Sequence, residues 1–339
     1  MEKRANSIAT RALSGAAGVI LLALIAAGTF YWNPLWVNDQ IIRYHLWRAE
    51  VQSEYVDAGG YRLHYFEATP PDGAPGTPLV LIHGLGSRGE DWSPMIPSLA
   101  AAGFHVYVPD LLGFGRSARP NVPYSLPLEE NVAVSFMDAI HLQRADIGGW
   151  SMGGWIAAAI ALDHPSRVDR LVLYDSLTLA FDPTIAQDGF VPTDAPGLNR
   201  LIAILTPEPR VLPGFVIRAT LRRLHRNGWI IQRTMDSIFT RKDILDNRIA
   251  AIRQPTLIVW GSEDRLIPLA VGEATHRDIA NSVFVSVQGC GHLAPGECPK
   301  PVLAATIDFL KAQLPLQNVE KTLPGTTQEG AKPQTEGAR

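Results

Sequence analysis

Six short apolar runs, spaced by segments of helical pattern, leave this chain few folds to choose from. "PLVLIHG" (78–84), "FHVYVPD" (104–110), "RADIGGW" (144–150), "VDRLVLYDS" (168–176), "PTLIVWGSED" (255–264) and "SVFVSVQGCGH" (282–292) read as strands. Helical spacing fills 128–142, 152–164 and 302–314. This alternation predicts an α/β architecture, a mostly parallel sheet covered by helices on both faces. "SEYVDAGGYRLHYFEA" (53–68) adds an opening antiparallel hairpin that turns at Gly59 and Gly60. With 339 residues and 46% hydrophobic content, the chain can bury one large core.

Three stretches break the rhythm. From 177 to 248 no strand pattern appears, and prolines at 183, 192, 196, 207, 209 and 213 punctuate the interval, which predicts an inserted cap of loops and a few helices. The C-terminal 315–339 lacks periodicity and large apolar residues, which predicts a disordered tail. At the other end, 12–32 runs 21 residues without a charge, about the length of a membrane-spanning helix. Lys3, Arg4 and Arg11 precede it against Glu2, so the expectation is a cytoplasmic N-terminus at 1–11 and a catalytic body on the far side, periplasmic or extracellular. Phe30, Tyr31, Trp32 and Trp36 form an aromatic belt beside it. The competing reading is a cleaved signal peptide and a secreted protein, since Ala26, Ala27 and Gly28 suit a cleavage site.

A net charge of −3 gives no basic field for nucleic acid. The exception is local: 197–250 holds ten Lys and Arg against four Asp and Glu, a net +6. Within it, "FVIRATLRRLHR" sets Ile217, Leu221 and Leu224 on one helical face and Arg218, Arg222, Arg223 and Arg226 on the other, the pattern of a helix lying on lipid headgroups or of an ordinary core-facing helix. Cys290 and Cys298 are the only cysteines, enough for one local bridge outside the cytoplasm or for two free thiols.

The chemistry is concentrated at "GGWSMGG" (148–154), where Gly149, Trp150, Ser151, Met152 and Gly153 fit G-x-S-x-G between a strand and a helix. A serine at such a turn is presented clear of the sheet edge, and the helix's first N–H groups point where negative charge would develop. Its hydroxyl needs a base and an orienting acid. His292 follows the last strand on a glycine-flanked loop, and Asp264 follows the strand before it. Asp175, after the sixth strand, is the competing acid, and Glu263 adjoins Asp264. "LIHGLG" (81–86) offers a second oxyanion donor at Leu85, with His83 a structural rather than catalytic residue.

These motifs, with "DLLGFGRS" (110–117), resemble the α/β-hydrolase fold family of the serine esterase and lipase type over about 52–314. The resemblance implies an eight-stranded sheet with core segments 52–176 and 249–314, a cap between strands 6 and 7, a Ser151, Asp264 and His292 triad, and Leu85 and Met152 as oxyanion donors. It calls for no metal or organic cofactor. The implied activity is hydrolysis of carboxylic esters bearing acyl chains, such as monoacylglycerols, through an acyl-enzyme. Alternatives are a carbon–carbon bond hydrolase or a perhydrolase on the same residues, and a noncatalytic binding member of the fold.

Overall fold

The computed structural model describes residues 19–209, 211–313 and 319–325. Nine strands form one sheet in the order β1-β2-β4-β3-β5-β6-β7-β8-β9. They are β1 Gln52–Ala58, β2 Tyr61–Ala68, β3 Thr77–Ile82, β4 Phe104–Pro109, β5 Ala145–Trp150, β6 Val168–Tyr174, β7 Thr256–Gly261, β8 Ser282–Val287 and β9 Val319–Leu323. β1 and β2 form the expected hairpin, and Gly59 and Gly60 turn it at φ of 58° and 82°, a conformation open to glycine without strain. β2 also meets β4 antiparallel, and every other pairing is parallel.

The helices are α1 Val19–Trp32, α2 Pro34–Arg48, α3 Ile96–Ala101, α4 Leu126–Ala139, α5 Met152–Asp163, α6 Ala195–Leu205, α7 Gly214–Phe239, α8 Leu269–Asp278, α9 Ala294–Glu297 and α10 Pro299–Lys311. The sheet's period of two divides its side chains between two cores. Val80, Ile82, Leu171, Leu173, Ile258 and Trp260 join α4, α5 and α8 on one face. Leu79, Leu81, Val172, Tyr174, Leu257 and Val259 join α3 and α10 on the other. α5 is apolar all round, and ten of its twelve residues are buried, as a helix packed between the sheet and α4 must be.

Two expectations are corrected. The sheet has nine strands, not eight, and the ninth lies inside the stretch read as a disordered tail. β9 pairs with β8 through Val283↔Val319 to Val287↔Leu323. An edge strand needs backbone partners more than buried side chains, and the exposed Glu320 and Lys321 of "VEKTL" guard that edge. Residues 314–318 and 326–339 lie outside the described residues, as do 1–11 and 12–18 of the expected N-terminus and anchor. Among the described residues no single helix is long and apolar enough to cross a membrane. α1 and α2 meet at 108°, because Pro34 cannot continue α1 and the Asn33 side chain caps the start of α2.

One acid of α4 is fully buried in this core. Glu129 of α4 accepts the Leu112 N–H at 3.1 Å, and burial pushes its carboxyl up to about 8. The folded state therefore keeps a proton that the unfolded chain loses above the usual 4.5, so this group costs stability progressively as pH rises toward 8. Glu129→Gln removes that titration. Urea melts should show its stability relative to the parent rising between pH 5 and pH 8, by a few kcal/mol in order of magnitude; a difference independent of pH would show that Glu129 stays ionised.

Candidate active site

Strand β5 ends and α5 begins at Ser151, whose backbone sits at φ 55° and ψ −120°. This conformation strains any residue with a Cβ and persists only where neighbours impose it. Here the Ser151 N–H donates to the Tyr174 carbonyl at 2.9 Å, and its own carbonyl accepts from Leu177 at 3.1 Å. The glycines are required by crowding: a Cβ on Gly149 would overlap the Gly153 carbonyl, and one on Gly153 would overlap the carbonyls of Ile82 and His83.

The three residues singled out in the sequence meet at this edge of the sheet. His292 Nε2 lies 3.0 Å from Ser151 Oγ, and His292 Nδ1 lies 2.8 Å from Asp264 Oδ2. Asp264 Oδ1 accepts the N–H groups of Leu266 and Ile267 at 2.8 and 2.9 Å, which fixes the carboxylate plane toward the ring. Both backbone groups of His292 are also held. Its N–H donates to Leu205 at the end of α6 (3.0 Å), and its carbonyl accepts the Trp150 indole N–H (2.7 Å). Neither partner was legible beforehand, since one belongs to the cap and the other is the variable position of G-x-S-x-G. Cys290 and Cys298 are joined as a disulfide, bridging the loop on either side of His292.

Asp175 is nearby but faces elsewhere. Its Oδ1 accepts the Gly261 N–H at 2.7 Å. Complete burial, reinforced by the nearby Asp264 carboxyl, pushes its carboxyl well above the ordinary range. Glu263 is half exposed, 3.8 Å from Arg265, and makes no contact with His292.

His83 is wholly buried. Its Nδ1–H donates to the Gly84 carbonyl (2.8 Å) while Nε2 accepts the Leu111 N–H (3.0 Å), and burial lowers its pKa, keeping it neutral. It thereby pins the "HGLG" loop to the end of β4. Among the described residues, no acceptor takes the N–H of Leu85 or Met152, and both residues border the cavity at Ser151. In "DLLGFGRS", Asp110 collects the Gly89 and Arg116 N–H groups and the His64 ring, and a Cβ on Gly115 would enter the Asp110 carboxylate. A second Ser–His–Asp series follows, with Ser53 Oγ 3.2 Å from His64 Nε2. Ser53 lies on extended β1 without the strand-to-helix turn that presents a nucleophile beside N–H donors.

The cavity over Ser151 has a volume of about 100 Å³. Leu179, Phe181 and Phe190 from the cap's first loops, Met235 and Ile238 from α7, and Ile267 line it, and among the described residues Arg241 is its one ionisable lining side chain. Arg241 is half exposed and paired with Asp182 at 3.1 Å. A hydroxyl, a buried imidazole, an oriented carboxylate and two free N–H donors beside an apolar cavity can add a nucleophile to a carbonyl and hold the resulting oxyanion.

Sheet order, strand-to-helix turn and cap define a hydrolase of the α/β-hydrolase family, and the chain belongs to that family. The family model described as alpha/beta hydrolase fold matches residues 77–215. The chain is 32% identical over 263 residues to a 2-hydroxymuconate semialdehyde hydrolase of Pseudomonas sp. (strain CF600), covering 70% of this chain and 88% of that protein. It is 30% identical to a 2-hydroxy-6-oxononadienedioate/2-hydroxy-6-oxononatrienedioate hydrolase of Paraburkholderia phymatum, over 76% of this chain and 95% of the relative. Among solved structures, a meta-cleavage product hydrolase from Pseudomonas fluorescens IP01 superposes with a TM-score of 0.67 at 26% identity, covering 77% of this chain and 98% of its own. A bacterial membrane phospholipase A shares the fold with a TM-score of 0.74 at 24% identity, over 88% of this chain and 97% of its own.

Proposed function

We propose that this hydrolase cleaves carboxylic esters with short or medium apolar acyl chains, using Ser151 as nucleophile, His292 as general base and acid, and Asp264 as the orienting acid. His292 takes the Ser151 proton as Oγ attacks the carbonyl, and Leu85 and Met152 N–H stabilise the oxyanion. The protonated imidazole then protonates the departing alcohol. Water, deprotonated by the same ring, attacks the acyl-enzyme and releases the acid. The observation that carries the ester reading is the cavity. An apolar pocket accepts an alkyl chain readily and an anion at a higher cost, and the one cationic side chain lining it is already paired at the rim.

The second reading is hydrolysis of a carbon–carbon bond in a vinylogous diketone, and likeness of sequence favours it over the ester. The curated relatives at 30–32% identity bear names of such enzymes, and their substrates are carboxylates. Arg241 is the group that would receive that carboxylate. One purified sample assayed against p-nitrophenyl esters of increasing chain length and against a 2-hydroxy-6-oxodienoate separates the two. We expect efficient ester turnover, with kcat/KM rising from acetate to a medium chain. A dienoate kcat/KM exceeding every ester's would overturn the ester assignment in favour of the second reading.

The same proposal places the protein at a membrane surface outside the cytoplasm. α1 exposes Val19, Leu22 and Leu24, and Trp32 at its end is 78% exposed, as an inserted helix with an aromatic belt requires. The basic side of α7 stands against that end. Arg218 and Arg222 donate to the Tyr31 hydroxyl and the Trp32 carbonyl, and Phe215 packs on Phe30 and Tyr31. An anchored α1 would therefore bring the cap's arginines to the headgroups. The Cys290–Cys298 bridge suits an oxidising compartment.

A further inference from the structure

The loop that carries Leu85 is soft by composition. Gly84 and Gly86 flank the residue, and Gly86 sits at φ 73°. His83 fastens the upstream side of the loop. Downstream, Asp110 of the core accepts the Gly89 N–H at 2.7 Å, and two ion pairs of opposite sense with helix α2 add a fastening from outside the hydrolase core. Asp39 Oδ1 accepts from Arg88 Nη2 at 2.6 Å, and one helical turn later Arg43 Nε donates to Glu90 Oε1 at 2.9 Å. Asp39 Oδ2 accepts from Arg223 Nη2 of the cap helix α7 at 2.7 Å. Glu90 is wholly buried and Asp39 is 6% exposed, so neither carboxylate has bulk water to replace its cation. Ile42, between the two, borders a cleft together with Leu85 and Gly86.

We propose that α2 is a clamp for the oxyanion loop, with Asp39 a positioning residue that holds Arg88, and through it the Leu85 N–H, at the place where the oxyanion forms. This rests on the assignment of Leu85 as an oxyanion donor. An N–H on a glycine-flanked turn contributes to catalysis only if its position is set before the charge develops, because reorganising it during the reaction consumes the stabilisation it supplies. Opposed charges on one face of α2 fix the loop in both position and register, which a single pair would not. The cap helix shares the same carboxylate, so the lid, α2 and the oxyanion loop meet at one side chain.

The test uses the full chain, p-nitrophenyl butyrate, and active sites counted by fluorophosphonate titration, so that misfolded protein does not enter the rate. Asp39→Asn should lower kcat per titrated site roughly tenfold to hundredfold, with KM changed far less. Asp39→Glu should recover most of the loss. Arg223→Gln, which leaves the Asp39–Arg88 pair intact, should keep kcat within about twofold, and Asp39→Asn combined with Arg88→Gln should be no slower than Asp39→Asn alone, since both break one interaction. Hydrogen exchange over residues 84–91 should accelerate in Asp39→Asn. Unchanged kcat per titrated site, additive losses in the double variant, or an Arg223→Gln defect equal to that of Asp39→Asn would each overturn the clamp. If the parent hydrolysed no ester, the functional assignment would fail by itself, and unchanged exchange over 84–91 would still refute the clamp.

Discussion

Ser151→Ala is expected to remove ester turnover, by about 10⁴ or more in kcat, while binding of the acyl chain persists. The alanine keeps the Cβ and every backbone contact of the turn, including the bond to the Tyr174 carbonyl, and deletes only the oxygen that His292 Nε2 meets at 3.0 Å. His292→Ala should be equally inactive, because Ser151 then has no base within reach. A second measurement separates chemistry from folding. Ser151 occupies φ 55°, ψ −120°, where an L side chain is strained, so Ser151→Gly should melt above Ser151→Ala although both are inactive. Steady-state kinetics and thermal melts on the variants check both parts. Retention of more than about a hundredth of the parent's kcat by Ser151→Ala would assign the nucleophile elsewhere.

Asp264→Asn should cost about 10³ to 10⁴ in kcat, and Asp175→Asn less than about tenfold. In Asp264→Asn the amide oxygen can keep the N–H groups of Leu266 and Ile267, so the loop survives. The amide nitrogen then faces His292 Nδ1, and two donors cannot pair. The ring must give up its Nδ1 proton and carry it on Nε2, where it can no longer accept from Ser151. Burial beside Asp264 raises the Asp175 carboxyl and so favours its neutral form, which asparagine imitates closely, keeping an acceptor for the Gly261 N–H. Kinetics on the two variants, each checked by circular dichroism, decide between the acids. The reverse ranking would move the acid to the end of β6.

What the sequence by itself determined is what short-range chemistry encodes. The Gly149 side of the turn is written locally, because a Cβ there would overlap the Gly153 carbonyl of the same turn, whereas Gly153 is required by the carbonyls of Ile82 and His83 at the end of a neighbouring strand. Strand periodicity placed Ser151, Asp264 and His292 after β5, β7 and β8, and a parallel sheet brings all three strand ends to one edge. Tertiary structure alone decided what depends on partners distant in the chain. β9 exists because β8 offers an open edge, a backbone property that "VEKTL" does not announce. Asp39 finds Arg88 49 residues away and Arg223 184 residues away, and nothing in the composition of α2 marks that meeting. The resemblance already pointed to Asp264 over Asp175, and the structure adds the contact: both emerge at the same sheet edge, where Asp175 is buried against the Gly261 N–H and Asp264 turns toward His292. The substrate class depends on the same long-range packing, since the cavity walls come from cap loops, α7 and the segment after β7, and their apolar surface is assembled only when those pieces meet over Ser151.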